Sequence, residues 1–219
     1  MRLSRRRALL CLLVGAPLVP PATRARAEDD AGAPCSAEEL EKNLADIARA
    51  RAGVTTLSGP FTQERTIGLL AAKVRSTGTL TLVRPDKLRW ELAAPDGVVY
   101  WVTPDGLAYK SAAGQGKAPA ASQKIAAALS DLRILLGGDL GSLRGRYNLS
   151  GTCEGGRTHF RAIPKAGSSV TFQEMRFTLA PDLVSPESVT IIEGPRDRTE
   201  IRFGTVQKNV PVATGLMGP

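Results

Sequence analysis

Two different periods organise the apolar positions of the chain. From Ser36 to Arg51, the residues Leu40, Leu44, Ile47 and the aliphatic stem of Arg51 fall on one stripe at helical spacing. Ser36 with Glu39 forms a capping box at the start of this helix, and Gly53 is placed to end it. Beyond it the period becomes two. Thr77–Val83 and Lys87–Leu92 alternate strictly and predict half-buried strands. The tight turns Pro95-Asp96-Gly97 and Pro104-Asp105-Gly106 flank a strand at Val98–Val102, and Leu107–Lys110 predicts the next. Ser111–Pro119 is a Gly/Ala/Lys loop. A second helix follows from about Ser122 to Leu136, with Ile125, Leu129, Leu132 and Leu136 on one face and Gly137-Gly138 ending it. Further strands are predicted at Arg146–Leu149, Thr158–Ile163, Val170–Leu179, Ser188–Glu193 and Thr199–Val206. In Val170–Leu179 the apolar parity slips between Phe172 and Met175, which predicts a bulge.

Strands that follow one another through short turns predict an antiparallel meander. The expected class is α+β, mainly β: one strongly curved sheet, with two amphipathic helices laying their apolar stripes on its concave face. The pattern holds no internal repeat and no interdomain linker, so a single domain is expected over residues 36–212, followed by a tail at 213–219.

The N-terminus follows a different logic. Met1–Arg7 is basic, Ala8–Val19 is apolar, and Ala25-Arg26-Ala27 supplies a small-x-small cleavage pattern, so residues 1–27 predict a cleaved signal peptide and 28–35 a flexible leader. This changes the reading of the charge. The formal net charge is +8, but six arginines and no acid lie in those first 27 residues. The remainder carries 23 basic against 21 acidic side chains, a net of +2, which is no electrostatic footprint for nucleic acid. Hydrophobic residues at 42% and charged residues at 23% suit a folded, exported domain with a sizeable core. Cys35 and Cys153 remain after cleavage. Two states are open to them: one disulfide closing a loop of about 118 residues, or two free thiols.

Catalytic chemistry is poorly represented. His159, the one histidine, sits in an alternating strand. A lone histidine excludes a cluster of histidine metal ligands. No GxGxxG, P-loop or HExxH motif occurs, and Gly114-Gln115-Gly116 lacks the strand–helix context of a phosphate cradle. No catalytic residue, metal or cofactor is expected. Arg84 stands out instead. It shares the parity of Leu80 and Leu82, so its guanidinium points to the same face. Two readings are open: it bonds backbone carbonyls at a helix end, or it lies at the strand's end and reaches water.

Around Arg84 the sequence resembles a known family. Phe61-Thr62-Gln63, Gly78-x-Leu80, Arg84-Pro85-x-x-Leu88-x-Trp90-Glu91, Pro95, Asp105-Gly106, Ile163-Pro164-Lys165, Met175-x-Phe177 and Asn209 together resemble the outer-membrane lipoprotein carrier (LolA) family. The resemblance implies an incomplete β-barrel, closed by helices that form a lid over an apolar cavity. It implies that Arg84 latches the lid, that Leu88 lies at the cavity mouth near the partner contact, that Leu80 and Leu82 belong to the cavity, and that Trp90 lines the cavity or fills the core. It further implies a monomeric periplasmic carrier that takes acylated lipoprotein from an inner-membrane ABC complex to an outer-membrane acceptor. Two alternatives stay open on the same fold: a carrier of another lipid, such as a glycolipid or polyisoprenoid, or an envelope sensor that binds lipid and a partner protein. An exported hydrolase is the remaining one.

Overall fold

The computed structural model describes residues 32–117, 123–168, 170 and 172–219. The expected signal peptide, leader residues 28–31 and the helix start at Ser122 lie outside the described residues, as does the side chain of Ile125. Thirteen strands are described: Ala33–Pro34 (β1), Thr56–Ile67 (β2), Ala72–Val83 (β3), Lys87–Leu92 (β4), Val98–Thr103 (β5), Gly106–Ser111 (β6), Gly114–Lys117 (β7), Tyr147–Glu154 (β8), Arg157–Pro164 (β9), Glu174–Leu179 (β10), Pro186–Ile192 (β11), Arg198–Phe203 (β12) and Gln207–Lys208 (β13). They form one antiparallel sheet in the order β1-β8-β9-β10-β11-β12-β2-β3-β4-β5-β6-β7, with β13 beside β2. The helices are Ala37–Arg51 (α1) and Gln123–Gly137 (α2).

The strand order explains why the helices roof the sheet. The strand before α2 is the last at one edge, whereas the strand after it lies next to the opposite edge. The connection has to cross the sheet, and the apolar stripe of α2 directs it over the concave face. α1 likewise runs from the β1–β8 edge to the central strand β2. It starts with the expected capping box: Ser36 Oγ accepts from Glu39 N, and Glu39 Oε2 accepts from Ser36 N at 2.7 Å. Its buried stripe is Leu40, Leu44, Ile47 and Arg51. The C-cap is Ala52 in right-handed conformation, and Gly53, one residue on, adopts no positive φ.

Three local expectations change, and one strand is added: Thr56–Ile67 pairs along its length although Gly59-Pro60 interrupts the local pattern. The strand survives because β13 pairs only Leu57 and Ser58, and β12 only Phe61–Thr66. Pro60 falls in the gap, where its missing N–H leaves no ladder bond unmade, and its carbonyl accepts from Gly204 N at 2.9 Å. Gly114–Lys117, expected as loop, pairs with β6 as an edge strand. Ala33–Pro34, expected as flexible leader, pairs with Cys153 and Thr152 of β8. The bulge expected between Phe172 and Met175 does not occur, since β10 begins at Glu174; the register shift lies at Thr178/Leu179.

Both faces of β5 are apolar for separate reasons. Val102 points to the core, whereas Trp101, on the opposite parity, is covered by the C-terminal segment and donates from Nε1 to the Leu216 carbonyl at 2.9 Å. The β10–β11 turn is fixed by Asp182, which accepts from Val184 N (2.9 Å), Ser185 N (2.8 Å), Ser185 Oγ (2.6 Å) and Lys208 Nζ (3.0 Å). Burial alone would push this carboxyl up, but the Ser185 and Val184 hydrogen bonds and the Lys208 ammonium bring it down to about 2. A folded-state value below the unfolded one stabilises the fold above about pH 4, and that contribution is lost as the pH falls toward 2. The urea midpoint of the wild type is therefore expected to drop over this acid range, and Asp182→Asn is expected to flatten that part of the profile. An unchanged acid limb in the variant would show that this turn does not set acid stability.

Candidate functional site: a roofed apolar cavity and its arginine fastening

The concave face carries one residue of each alternate pair: Leu57 and Phe61 from β2, Leu80 and Leu82 from β3, Leu88 and Trp90 from β4, Val189 and Ile191 from β11, Ile201 from β12. Two glycines let the layers approach closely. At Gly78 a Cβ would lie 2.0 Å from the Glu91 carbonyl and 2.5 Å from Phe61 Cζ. The bare backbone allows the Phe61 ring to cross β3 and stack on Trp90, ring centres 3.7 Å apart. At Gly137 a Cβ would lie 2.1 Å from Leu82 Cδ2, so the end of α2 rests directly on β3.

Between α2 and the sheet lies a cavity of about 420 Å³. Its apolar wall comes from Trp90, Leu92 and Tyr100 of β4 and β5, Leu129 and Leu132 of α2, and Phe172, Ile191 and Ile201. One end is polar: Gln63, Arg65, Glu193 and Thr199 line it, with Arg65 Nη2 3.7 Å from Glu193 Oε2. The volume falls within the range of small-molecule sites. A larger hollow, about 590 Å³, lies on the other side of the sheet among Pro60, Thr62, Thr77, Thr79, Glu91 and Arg202. Phe61, Gly78, Ala93, Phe203 and Gly204 also line it, but no described helix covers it, so the cavity that α2 roofs is the better candidate for a ligand that must be shielded from water.

The lid is fastened at the ends of its helices. The Arg84 guanidinium, half-buried, donates through Nη1 to the carbonyls of Arg51 and, at 3.3 Å, Val54. Arg51 closes α1, so its carbonyl is among those left without an intrahelical partner. Asn209 completes the arrangement: its Oδ1 accepts from Thr55 N at 2.8 Å and its Nδ2 donates to the Gly53 carbonyl at 3.1 Å. A second arginine ties the two lid helices together. Arg51, 2% exposed, donates from Nη1 to the Gly138 carbonyl just past α2 at 3.3 Å. Its Nε and Nη2 find no hydrogen-bond partner among the described residues. Burial, then the charge of Arg84, lowers its pKa to about 10, against an opposing pull from Asp182, so it remains a cation at neutral pH. Both cations sit at helix C-termini, where the backbone dipoles favour positive charge.

The middle of α2 has its own anchor. Asp131, fully buried, accepts from the Tyr147 hydroxyl and the Arg146 guanidinium. Burial raises the Asp131 carboxyl above its ordinary value against the pull of these two donors, and burial with the Asp131 contact raises the Tyr147 hydroxyl. Arg133 Nη1 donates to the Asp86 carbonyl at 2.9 Å, fixing α2 to the β3–β4 turn. Just before α1, Cys35 is disulfide-bonded to Cys153, and near the middle of the helix Asn43 Nδ2 donates to Thr158 Oγ1 at 2.8 Å. Of the two states open in the sequence, the disulfide is the one the structure holds.

A sequence profile described as "Outer membrane lipoprotein carrier protein LolA" matches residues 52–216. The chain belongs to the LolA family. A search of curated proteins finds no match. Among solved structures, a DUF1329 family protein from Desulfovibrio piger is similar in fold at a TM-score of 0.53, with 9% identity over 82% of this chain and 97% of that one. A LolA superfamily protein from Nitrosomonas europaea gives a TM-score of 0.47 at 8% identity, covering 82% and 97% of the two chains. The Mycobacterium tuberculosis lipoprotein LppX gives 0.45 at 16%, covering 81% and 99%.

Against the LolA pattern, the structure sorts the expected residues. Trp90 lines the cavity. Leu80, Leu82 and Leu88 do not: all three are fully buried in the packed layer beneath the lid helices. Leu88, expected near the mouth, is core because Gly137 brings the end of α2 down onto its β3 neighbour Leu82. Arg84 lies on the LolA fold with its guanidinium on helix-end carbonyls rather than in solvent. Tyr100, Ile191 and Ile201 share the concave parity but were not singled out, since parity assigns a face and not a depth. His159 pairs with Thr178 Oγ1 at 3.1 Å on the outer parity, away from the cavity lining. No group of three His, Cys, Asp or Glu that could hold a metal occurs among the described residues, and none of their helices is long and apolar enough to cross a membrane.

Proposed function

We propose that this LolA-family chain is a periplasmic carrier, which takes up the acyl chains of lipoproteins at the inner membrane and delivers them to an acceptor at the outer membrane. The observation that carries this reading is the apolar cavity roofed by α2, whose C-terminal end is tied through Arg51 to α1, the helix that ends on the Arg84 guanidinium. Each exposed methylene costs roughly 0.8 kcal/mol in water, so acyl chains need a covered hollow to cross an aqueous compartment. Release demands that the empty protein be stable by itself. The closed lid provides that state: α1 and α2 satisfy the sheet's leucines, and Arg84 and Asn209 satisfy the helix-end carbonyls. Cargo with several acyl chains outgrows a cavity of about 420 Å³, so loading moves the lid and breaks these polar bonds. α1 is covalently held at its start through Cys35 and only hydrogen-bonded at its end, which makes the Arg84 end the one that lifts.

The test is transfer without detergent. Purified protein is mixed with membranes holding acylated lipoprotein, and a soluble one-to-one complex is expected. Leu129→Trp, which fills the cavity from α2, is expected to reduce loading about tenfold or more while the protein stays folded. A soluble complex formed equally well by Leu129→Trp, or by no protein at all, sinks the reading. Mass spectrometry of the bound lipid separates lipoprotein acyl chains from a glycolipid or polyisoprenoid.

A further inference from the structure

The β2–β3 hairpin ends in the most exposed apolar side chains of the described residues. Leu69 is 93% exposed, Leu70 67% and Val74 45%. Solvated leucines at this density mark a contact surface rather than ordinary surface variation. The tip is also firmly built. Residues Gly68–Leu70 form a 3-10 turn closed by Ala71 at φ 48°, a left-handed position rare for a residue with a Cβ. Gly68 N donates to Asp197 Oδ1 at 2.9 Å, and Arg196 packs so close that a Cβ on Gly68 would lie 2.1 Å from its own. β4 pairs β3 only from Gly78 onward, and beyond it Ala93 N donates to the Thr77 carbonyl and Ser76 Oγ to Asp96, so on that side the hairpin runs free over Ala72–Arg75, about 13 Å of extended chain.

Charge around the tip is layered. Arg65, Lys73, Arg75 and Arg198 have side chains 54%, 57%, 80% and 54% exposed. Their carboxylate partners Glu64, Glu193 and Glu200 lie further back at 21%, 33% and 32%. Arg196 is exposed beside them. The more exposed charges near the tip are therefore cationic, and the acids, including Asp197 on Gly68 N, are the more buried ones. Three side chains on a turn are too few for a standard protein interface of about 800 Å² per partner, but they suit insertion into a bilayer. Cationic side chains at that depth meet anionic headgroups.

We propose that this hairpin tip docks the protein on an anionic lipid surface, with Leu69 and Leu70 inserted among the acyl chains. The position serves the cavity. Arg65 belongs to both places: it lines the polar end of the cavity and lies on the same strand as the tip, three residues before Gly68. Docking by the tip brings the cavity's polar end toward the headgroups. The membrane contact stands on the tip alone; its use in cargo transfer rests on the carrier reading.

Co-sedimentation with vesicles tests it. The wild type is expected to bind phosphatidylglycerol-containing vesicles, with binding weakened by salt, and to bind pure phosphatidylcholine vesicles poorly. The double variant Leu69→Ser/Leu70→Ser is expected to lose about tenfold or more of the partition coefficient, with an unchanged thermal midpoint because both side chains are in solvent. Arg196→Ser is expected to weaken binding to anionic vesicles only. No vesicle binding by the wild type, or equal binding by the double variant, overturns the proposal. So does a photoreactive residue at position 69 that crosslinks only to protein in native membranes. The two readings fail separately: proteins that bind no vesicle yet carry acyl cargo end the docking proposal, and proteins that dock yet carry nothing end the carrier reading.

Discussion

Replacing Arg84 with leucine is expected to raise the share of protein that purifies with bound lipid and to slow delivery to acceptor membranes by about tenfold or more. Arg84 contributes charge-assisted hydrogen bonds to the Arg51 and Val54 carbonyls. Each such bond is worth about 1.5–3 kcal/mol, less here because the guanidinium is half-exposed and screened. In the variant the Val54 carbonyl loses this donor and the Arg51 carbonyl keeps only the Val54 N–H at 3.0 Å, so the closed, empty state rises in energy. On the carrier reading, the loaded state, with the lid lifted, has already given up the same bonds. The difference appears wholly as tighter cargo binding, since a change acting on one of two states shifts their balance by its full amount. Arg84→Lys separates charge from geometry: a point charge without the planar fork is expected to fall between wild type and leucine. Measured transfer of acylated lipoprotein from Arg84→Leu at the wild-type rate would show that Arg84 is not the latch.

How far the sequence discloses this arrangement depends on the range of the interaction concerned. The α1 stripe and its capping box involve neighbours three and four residues apart, and both form as expected. Arg84 could be aimed by parity alone because it directly follows the strand that carries Leu80 and Leu82. Its acceptors could not be identified: Arg51 and Val54 are 33 and 30 residues away. Arg51 showed only its stem, on the helix stripe, while its guanidinium ends on Gly138, 87 residues distant. Strand β2 carries Pro60 in its interior, against the local pattern of a strand, and the gap between β12 and β13 that accommodates it is a property of the whole sheet. Leu80, Leu82 and Leu88 against Trp90 is the same difficulty in another form: alternation puts all four on the concave face, and only the crossing of α2 decides which are core and which line a hollow.

Reducing the Cys35–Cys153 disulfide is expected to lower the free energy of unfolding by about 4–5 kcal/mol. The two cysteines are 118 residues apart, so the closed loop holds α1, α2 and the whole β2–β7 half of the sheet. Opening it frees a large unfolded ensemble, while the native contacts around it stay: β1 pairs only two residues of β8, and Asn43 remains bonded to Thr158. For a domain of this size, the thermal midpoint is expected to fall by roughly 10 to 20 °C. The functional consequence differs from that of Arg84→Leu. One loosens the end of α1 that lifts, the other the end that stays, so Cys35→Ser/Cys153→Ser is expected to unfold in less urea yet still release cargo near the wild-type rate while folded. Equal urea midpoints for reduced and oxidised protein would mean that the denatured chain keeps these ends together without the bond. A folded double serine variant that cannot release cargo would mean that the start of α1 moves too, and that the lid swings as a whole instead of lifting from its Arg84 end.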